Sequence, residues 1–185
     1  MKEIITDGGR VIRVYDNVFD FEYRQRIYEF VRNSLFRIGW ADGNIVENQH
    51  HKFMHSIYST QDLEQLEYLK YLHKHVVGEE TQTYDLVHAV VNLSTPSDVN
   101  FVHAHPEDKV ILYYANLEWR DGWHGETLFY SDDQKEVVFA SPYTPGRVIV
   151  FDAKIPHTIR PQSHLAAFYR FTLALLYKKN VDSIR

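Results

Sequence analysis

The spacing of apolar positions divides the chain into a helix-patterned part and a strand-patterned part. Arg10 to Tyr15 alternates weakly, as a short strand does. From Glu22 to Phe36 the apolar residues Tyr23, Ile27, Phe30, Val31 and Phe36 recur near helical spacing. Asp20 stands where such a helix wants its N-cap. A second helix is predicted from Gln61 to Val76, with Leu63, Leu66, Leu69, Tyr71 and Leu72 on its apolar side and Ser59 or Thr60 as cap. Between them, Gly39 to Ser59 is polar and His-containing and reads as loop or short strand.

From Tyr84 the period changes. Tyr84–Leu93, Phe101–His105, Lys109–Asn116, Glu126–Tyr130, Glu136–Ala140, Arg147–Phe151 and Tyr169–Tyr177 are short and rich in Val, Ile, Leu, Tyr and Phe. Gly, Pro, Asn, Asp and Ser separate them, which is the signature of strands. Ser131 to Gln134 predicts a hairpin turn, and Pro145-Gly146 a turn into the next strand. Many short strands at this spacing indicate a sandwich or barrel rather than a parallel α/β sheet. The expectation is one domain, 1–185, with a helical layer over 1–80 packed on one sheet of a mainly β core over 84–178.

Composition narrows the function. The 185 residues are 44% hydrophobic, enough for a globular core. With 20 Lys plus Arg against 25 Asp plus Glu, the net charge is -5, which argues against sequence-independent nucleic-acid binding. There is no cysteine, so disulfides, thiolate metal sites and Cys nucleophiles are excluded. Met1 to Val14 is too polar for a signal peptide, and no apolar run of membrane-spanning length occurs, so a cytoplasmic location is expected. A homo-oligomer stays open.

Chemistry concentrates at two places, His103-Ala104-His105-Pro106-Glu107 and Ile155-Pro156-His157. Strand residues two apart share a face, so His103 and His105 project together, and Glu107 follows if the strand continues. Imidazole and carboxylate are ligands for first-row divalent metals, and two His with one carboxylate leave positions open for a bidentate co-substrate and dioxygen. His157 would complete the set from a facing strand. Most of the 11 histidines must be surface or structural, so a lone His-x-His is weak. The polar segment with His50, His51 and His55 reads as a surface loop before it reads as a substrate lid.

The order of blocks is more specific. After the His run come Val110 to Trp119, Trp123 to Phe129, Pro145 to Phe151 leading to His157, and Arg170-Phe171-Thr172-Leu173. This series, covering about half the chain, resembles the iron(II)/2-oxoglutarate-dependent oxygenases of the prolyl-hydroxylase-like branch. The resemblance implies a double-stranded β-helix (jelly-roll, cupin-like) barrel with Fe(II) as metal, 2-oxoglutarate as co-substrate and ascorbate as reductant. It implies His157 as the distal ligand and Arg170 as the anchor of the remote carboxylate, which a guanidinium fork suits. Arg160 is the second choice for that anchor. Tyr114 and Thr172 would assist at the same carboxylate, and Trp123 and Glu126 would be structural. The family's proximal motif is His-x-Asp or His-x-Glu, and here the chain departs from it. Either His103 and His105 fill those positions, giving an all-histidine triad with His157, or His105 and Glu107 do. The family's charge rule favours the second. Pro106 and the residues needed to cross between sheets favour the first. Peptidyl proline heads the substrate candidates, with small molecules, free amino acids and nucleobases open. The rival classes are a cupin-like metal enzyme without 2-oxoglutarate and an inert jelly-roll binding module. The direction in which Arg170 points separates them.

Overall fold

A computed structural model describes residues 1–42, 46–64, 66 and 83–180. Its framework is an eight-stranded antiparallel sheet and a facing three-stranded sheet. The strands are β1 (Lys2–Ile5), β2 (Val11–Tyr15), β3 (Arg37–Trp40), β4 (Phe53–Ser59), β5 (Tyr84–Ser94), β6 (Lys109–Tyr114), β7 (Thr127–Tyr130), β8 (Val137–Ser141), β9 (Val148–Asp152), β10 (His157–Ile159) and β11 (Arg170–Lys179). The large sheet runs β1-β2-β9-β6-β11-β5-β4-β3 and the small one β10-β7-β8. This is the double-stranded β-helix expected from the strand half.

β11 is central, and its first eight residues, Arg170 to Tyr177, are all buried. Because side chains alternate across a strand, such a run must be covered on both faces. Phe171, Leu173, Leu175 and Tyr177 face outward, in one apolar cluster with Ile27 and Val31 of α1 (Phe21–Arg32) and Leu63 of the short helix α2 (Thr60–Glu64). Ala174 and Leu176 face the small sheet, in a second cluster with Val90, Val110, Tyr114, Ile149, Phe151 and Phe129. Arg170 and Thr172 share that inner face, and this parity decides where the site can lie.

The first helix is capped as its sequence suggests, with the Tyr23 N–H donating to Asp20 Oδ1 at 2.8 Å. It stops at Arg32, earlier than the apolar period implied. Asn33 takes the cap, and Ser34 Oγ donates to the Phe30 carbonyl at 3.1 Å. Phe36 still joins the outer cluster, 6.1 Å from the Phe171 ring, but from the lead into β3 rather than from the helix. Its burial was readable in the apolar pattern, and its backbone state was not. The N-terminal part adds β1 to β4 to the large sheet, so Gly39 to Ser59 holds short strands rather than one loop. Of the second predicted helix, α2 is its first turn, and the greater part of Gln61 to Val76 lies outside the described residues. Phe101–His105 is not a strand. It touches the small sheet by one bridge, His103 to His157, and crosses to the large sheet where Asp108 N–H donates to the Tyr177 carbonyl. The crossing uses the residues after His105, with Pro106 at its start.

A buried polar knot joins the ends of β6 and β11. Asn116, 2% exposed, accepts the Phe171 N–H at 2.8 Å and donates from Nδ2 to the Tyr169 carbonyl at 2.9 Å. The Tyr143 hydroxyl accepts the Asn116 N–H at 3.1 Å and lies 2.6 Å from Asn116 Oδ1. Buried groups stripped of partners cost about 1–3 kcal/mol each. Asn116→Ala should therefore destabilise the fold by at least about 2 kcal/mol, read as a lower urea midpoint at unchanged m-value.

Candidate metal centre and anion pocket

One cavity opens between the sheets, and its lining includes His103, His105, His157, Thr127, Arg170 and Thr172. At one place the bridge to β10 brings His103 beside His157, with backbone bonds of 3.0 and 2.9 Å in the two directions. The His105 N–H donates to the Ala153 carbonyl at 2.9 Å, which fixes the second histidine of the run. One ring nitrogen from each of His103, His105 and His157 then lies within 4.8 Å of the others. The ring centroids are 5.2, 4.6 and 5.0 Å apart.

The outer nitrogens of two rings are tied down. His103 Nδ1 is 3.0 Å from the Phe101 carbonyl and His157 Nδ1 is 2.9 Å from the Ile155 carbonyl. A carbonyl only accepts, so both rings donate from Nδ1, which leaves Nε2 as the atom that can face a metal. Burial holds the His157 imidazolium form well below its usual range, and His103 and His105 push in the same direction. Burial likewise drives His105 down to about 3, with the charges of His103, His88 and Lys154 adding to it. Three converging imidazoles, one buried and two half-buried, are donors that could hold a divalent metal. Glu107 stands outside the cluster. It is 8% exposed, and its Oε2 is buried without a hydrogen-bond partner.

Arg170 has no exposed surface. Its Nε donates to the Gly125 carbonyl at 2.9 Å and its Nη2 to Thr127 Oγ1 at 3.3 Å. The guanidinium carbon lies 4.8 Å from the Tyr143 ring centroid and 5.5 Å from that of Tyr114. Burial lowers its pKa and the two tyrosines oppose this, while an arginine keeps its charge throughout. Nη1 has no partner, nor has Thr172 Oγ1 on the same face of β11. Gly125, at φ +84°, permits the close approach, since a Cβ there would stand 3.1 Å from Arg170 Cδ.

The other residues singled out from the sequence fall elsewhere. Tyr114 donates to Thr127 Oγ1 at 2.7 Å and stacks on Tyr143 behind the arginine. Arg160 is turned to Glu126 at 3.6 Å and to His124, away from the cavity lining. Trp123 packs edge-on against Trp119. His51 packs on Phe101, His55 on Trp40, and His50 is exposed. The sequence reading missed Trp40, Asp42, Phe53 and Asn100, which complete the cavity wall. Asp42 Oδ1 is 3.4 Å from His103 Nδ1, and burial raises its carboxyl pKa while His103 pulls it back. Only the His-rich character of the Gly39 to Ser59 segment hinted that it approached a site.

Fold and site define a class: a double-stranded β-helix whose sheets enclose an imidazole cluster and a buried guanidinium in one cavity. A scan of protein-family profiles and a search of curated proteins both found no match. Solved structures do match in fold. A prolyl hydroxylase of Trichoplax adhaerens, in complex with a hypoxia-inducible-factor oxygen degradation domain peptide fragment, aligns with TM-score 0.62 and 15% identity over 91% of this chain and 83% of that one. A Pseudomonas putida prolyl-4-hydroxylase aligns at 0.61 and 12% identity over 91% and 92%. HygX of Streptomyces hygroscopicus, with nickel and 2-oxoglutarate bound, aligns at 0.64 and 10% identity over 92% and 83%. The chain thus has the fold of 2-oxoglutarate-iron(II) oxygenases. Among its described residues no helix is long and apolar enough to cross a membrane.

Two outcomes follow from this geometry. His103→Ala should abolish tight cobalt(II) binding measured by calorimetry, while Glu107→Ala should leave it within about threefold, because removing a ligand costs far more than removing a group outside the cluster. Metal-free protein should also lose stability below pH 6.5. The folded pKa of His105 and His157 lies below the unfolded one, so in that range the unfolded chain takes up protons that the folded chain refuses. Each group then costs up to about 1.4 kcal/mol per pH unit. The urea midpoint should fall from pH 7 to pH 5, and less steeply in His105→Gln.

Proposed function

We propose that the chain is a non-haem iron(II)- and 2-oxoglutarate-dependent dioxygenase that hydroxylates a C–H bond of a substrate, peptidyl proline being the first candidate. The observation that carries this reading is the pairing, in one cavity, of three converging imidazoles with a fully buried arginine whose Nη1 is unpartnered. Iron(II) would be held by His103, His105 and His157. Bound iron would activate dioxygen, the four-electron oxidant; 2-oxoglutarate would supply two electrons and leave as succinate and carbon dioxide, and the substrate C–H bond the other two, with one oxygen atom going to each.

The chain's own part is to bind and orient. On His103 and His157 a carbonyl holds Nδ1, which orients each ring and leaves Nε2 as the atom that would bind the ion. Arg170 offers Nη1, and Thr172 offers its hydroxyl, to the remote carboxylate of the co-substrate. An unpaired buried guanidinium N–H is costly, and a carboxylate is the ligand that removes the cost through a charge-assisted bond. Tyr114 and Thr127 hold the guanidinium in place, so in this structure Tyr114 supports the anchor through Thr127. The apolar side chains of Val110, Leu112, Phe151 and Leu176 line the same cavity.

The inward-facing Arg170 favours this reading over a cupin-like enzyme without 2-oxoglutarate, because such an enzyme has no need of a buried cation on the pocket face of β11. Anaerobic calorimetry on manganese-loaded protein should show 2-oxoglutarate binding, and Arg170→Met should weaken it by about 30-fold or more, corresponding to about 2 kcal/mol for an unpaired buried charge. With iron, ascorbate and 2-oxoglutarate, slow substrate-free succinate formation should appear. No binding and no succinate overturn the proposal.

A further inference from the structure

The run from His103 to Glu107 gives the cluster no carboxylate, yet a carboxylate stands against it. Asp42 lies just past β3, on a segment remote in sequence from the histidines, and is 8% exposed. Its Oδ2 accepts the Phe101 N–H at 2.7 Å, and its Oδ1 is 3.4 Å from His103 Nδ1. Its own carbonyl accepts from Asn48 Nδ2 at 3.2 Å, and Asn48 is 6% exposed. Asp42 therefore holds the segment before His103 at the Phe101 N–H, stands beside the His103 ring, and is itself held through its own carbonyl. It also lines the cavity.

We propose that Asp42 is a positioning residue that acts through His103, supplying from behind the ring the negative charge that the three-histidine cluster lacks. The inference rests on the metal-binding reading given above. Asp42 sits on the Nδ1 side of the imidazole, away from the lone pair that converges on His105 and His157. Oδ2 is already committed to a backbone N–H. Its action on an ion is thus through the ring. The Phe101 carbonyl is 3.0 Å from Nδ1 and the Asp42 carboxylate stands 3.4 Å from the same nitrogen, a negative charge that makes Nε2 a stronger donor and partly offsets the charge of a divalent ion held by imidazoles alone. A purely structural role needs only an acceptor for the Phe101 N–H, and an asparagine oxygen provides that as well as a carboxylate does. The isosteric change Asp42→Asn therefore separates charge from shape.

The test uses cobalt(II) on the full chain, read by competition calorimetry and by the visible absorption of the bound ion. Asp42→Asn should weaken cobalt binding about 10- to 100-fold, the range for loss of a carboxylate behind a ligating histidine. The absorption bands of the remaining complex should shift, because the His103 donor is weaker, while the metal-free melting temperature stays near that of the wild type. Asp42→Ser, which removes the charge and leaves space for water, should give the same loss and decides the matter if Asp42→Asn does not fold. Binding within twofold of wild type with unshifted bands in a folded variant overturns the role of Asp42 and leaves the metal centre standing. Failure of the wild type to bind cobalt overturns the metal centre and the role together.

Discussion

The structure depends on the double-sided burial of β11. Eight consecutive buried residues require a layer on each side, and the two layers differ. One face meets α1 and the aromatic residues around it, and gains stability from apolar contact. The other begins with Arg170 and Thr172 and continues with Ala174 and Leu176, so a polar end and an apolar end lie on one face of one strand. A shift of the strand by one residue would exchange the faces and bury Phe171 where the guanidinium now lies. The Asn116–Tyr143 knot stands at the residues where that register is set, bonding the Phe171 N–H directly.

A buried guanidinium constrains its neighbours in turn. It needs acceptors, which Gly125 and Thr127 supply at the start of β7, the middle strand of the small sheet, and it needs space, which a glycine at φ +84° leaves. The stacked tyrosines give its faces a favourable surface. The small sheet is thereby pinned to the large one at the arginine. It is pinned again at the histidines, where the backbone bridge between His103 and His157 closes the other side. The cavity exists because the sheets are held at these two places with the apolar wall between them.

Much of this was legible in the sequence, for identifiable reasons. Strand-type alternation and Pro-Gly or Asp-rich turns are local properties, so β5, β6, β7, β8, β9 and β11 could be placed to within a residue or two. The N-cap of α1 is a contact three residues long and was equally visible. β1, β3, β4 and β10 are short or weakly patterned and owe their strand state to partners far along the chain, which sequence spacing does not encode. Phe101–His105 shows the converse. Its composition suits a strand, but the chain must cross between sheets within a few residues of His105, and tertiary geometry leaves only a bridge.

For the site, the sequence by itself determined which groups could act: His103, His105 and His157, and an arginine on a strand whose alternate residues are apolar. Spacing along one strand is rigid, so the common face of Arg170 and Thr172 was settled by parity. The tertiary structure alone decided which side of β11 faces the cavity, that Glu107 stands apart from the imidazoles while His103 joins them, and that Asp42 comes to lie behind His103. These are contacts between segments distant in sequence. They are set by how two sheets and a crossing loop pack, and no local pattern carries that information.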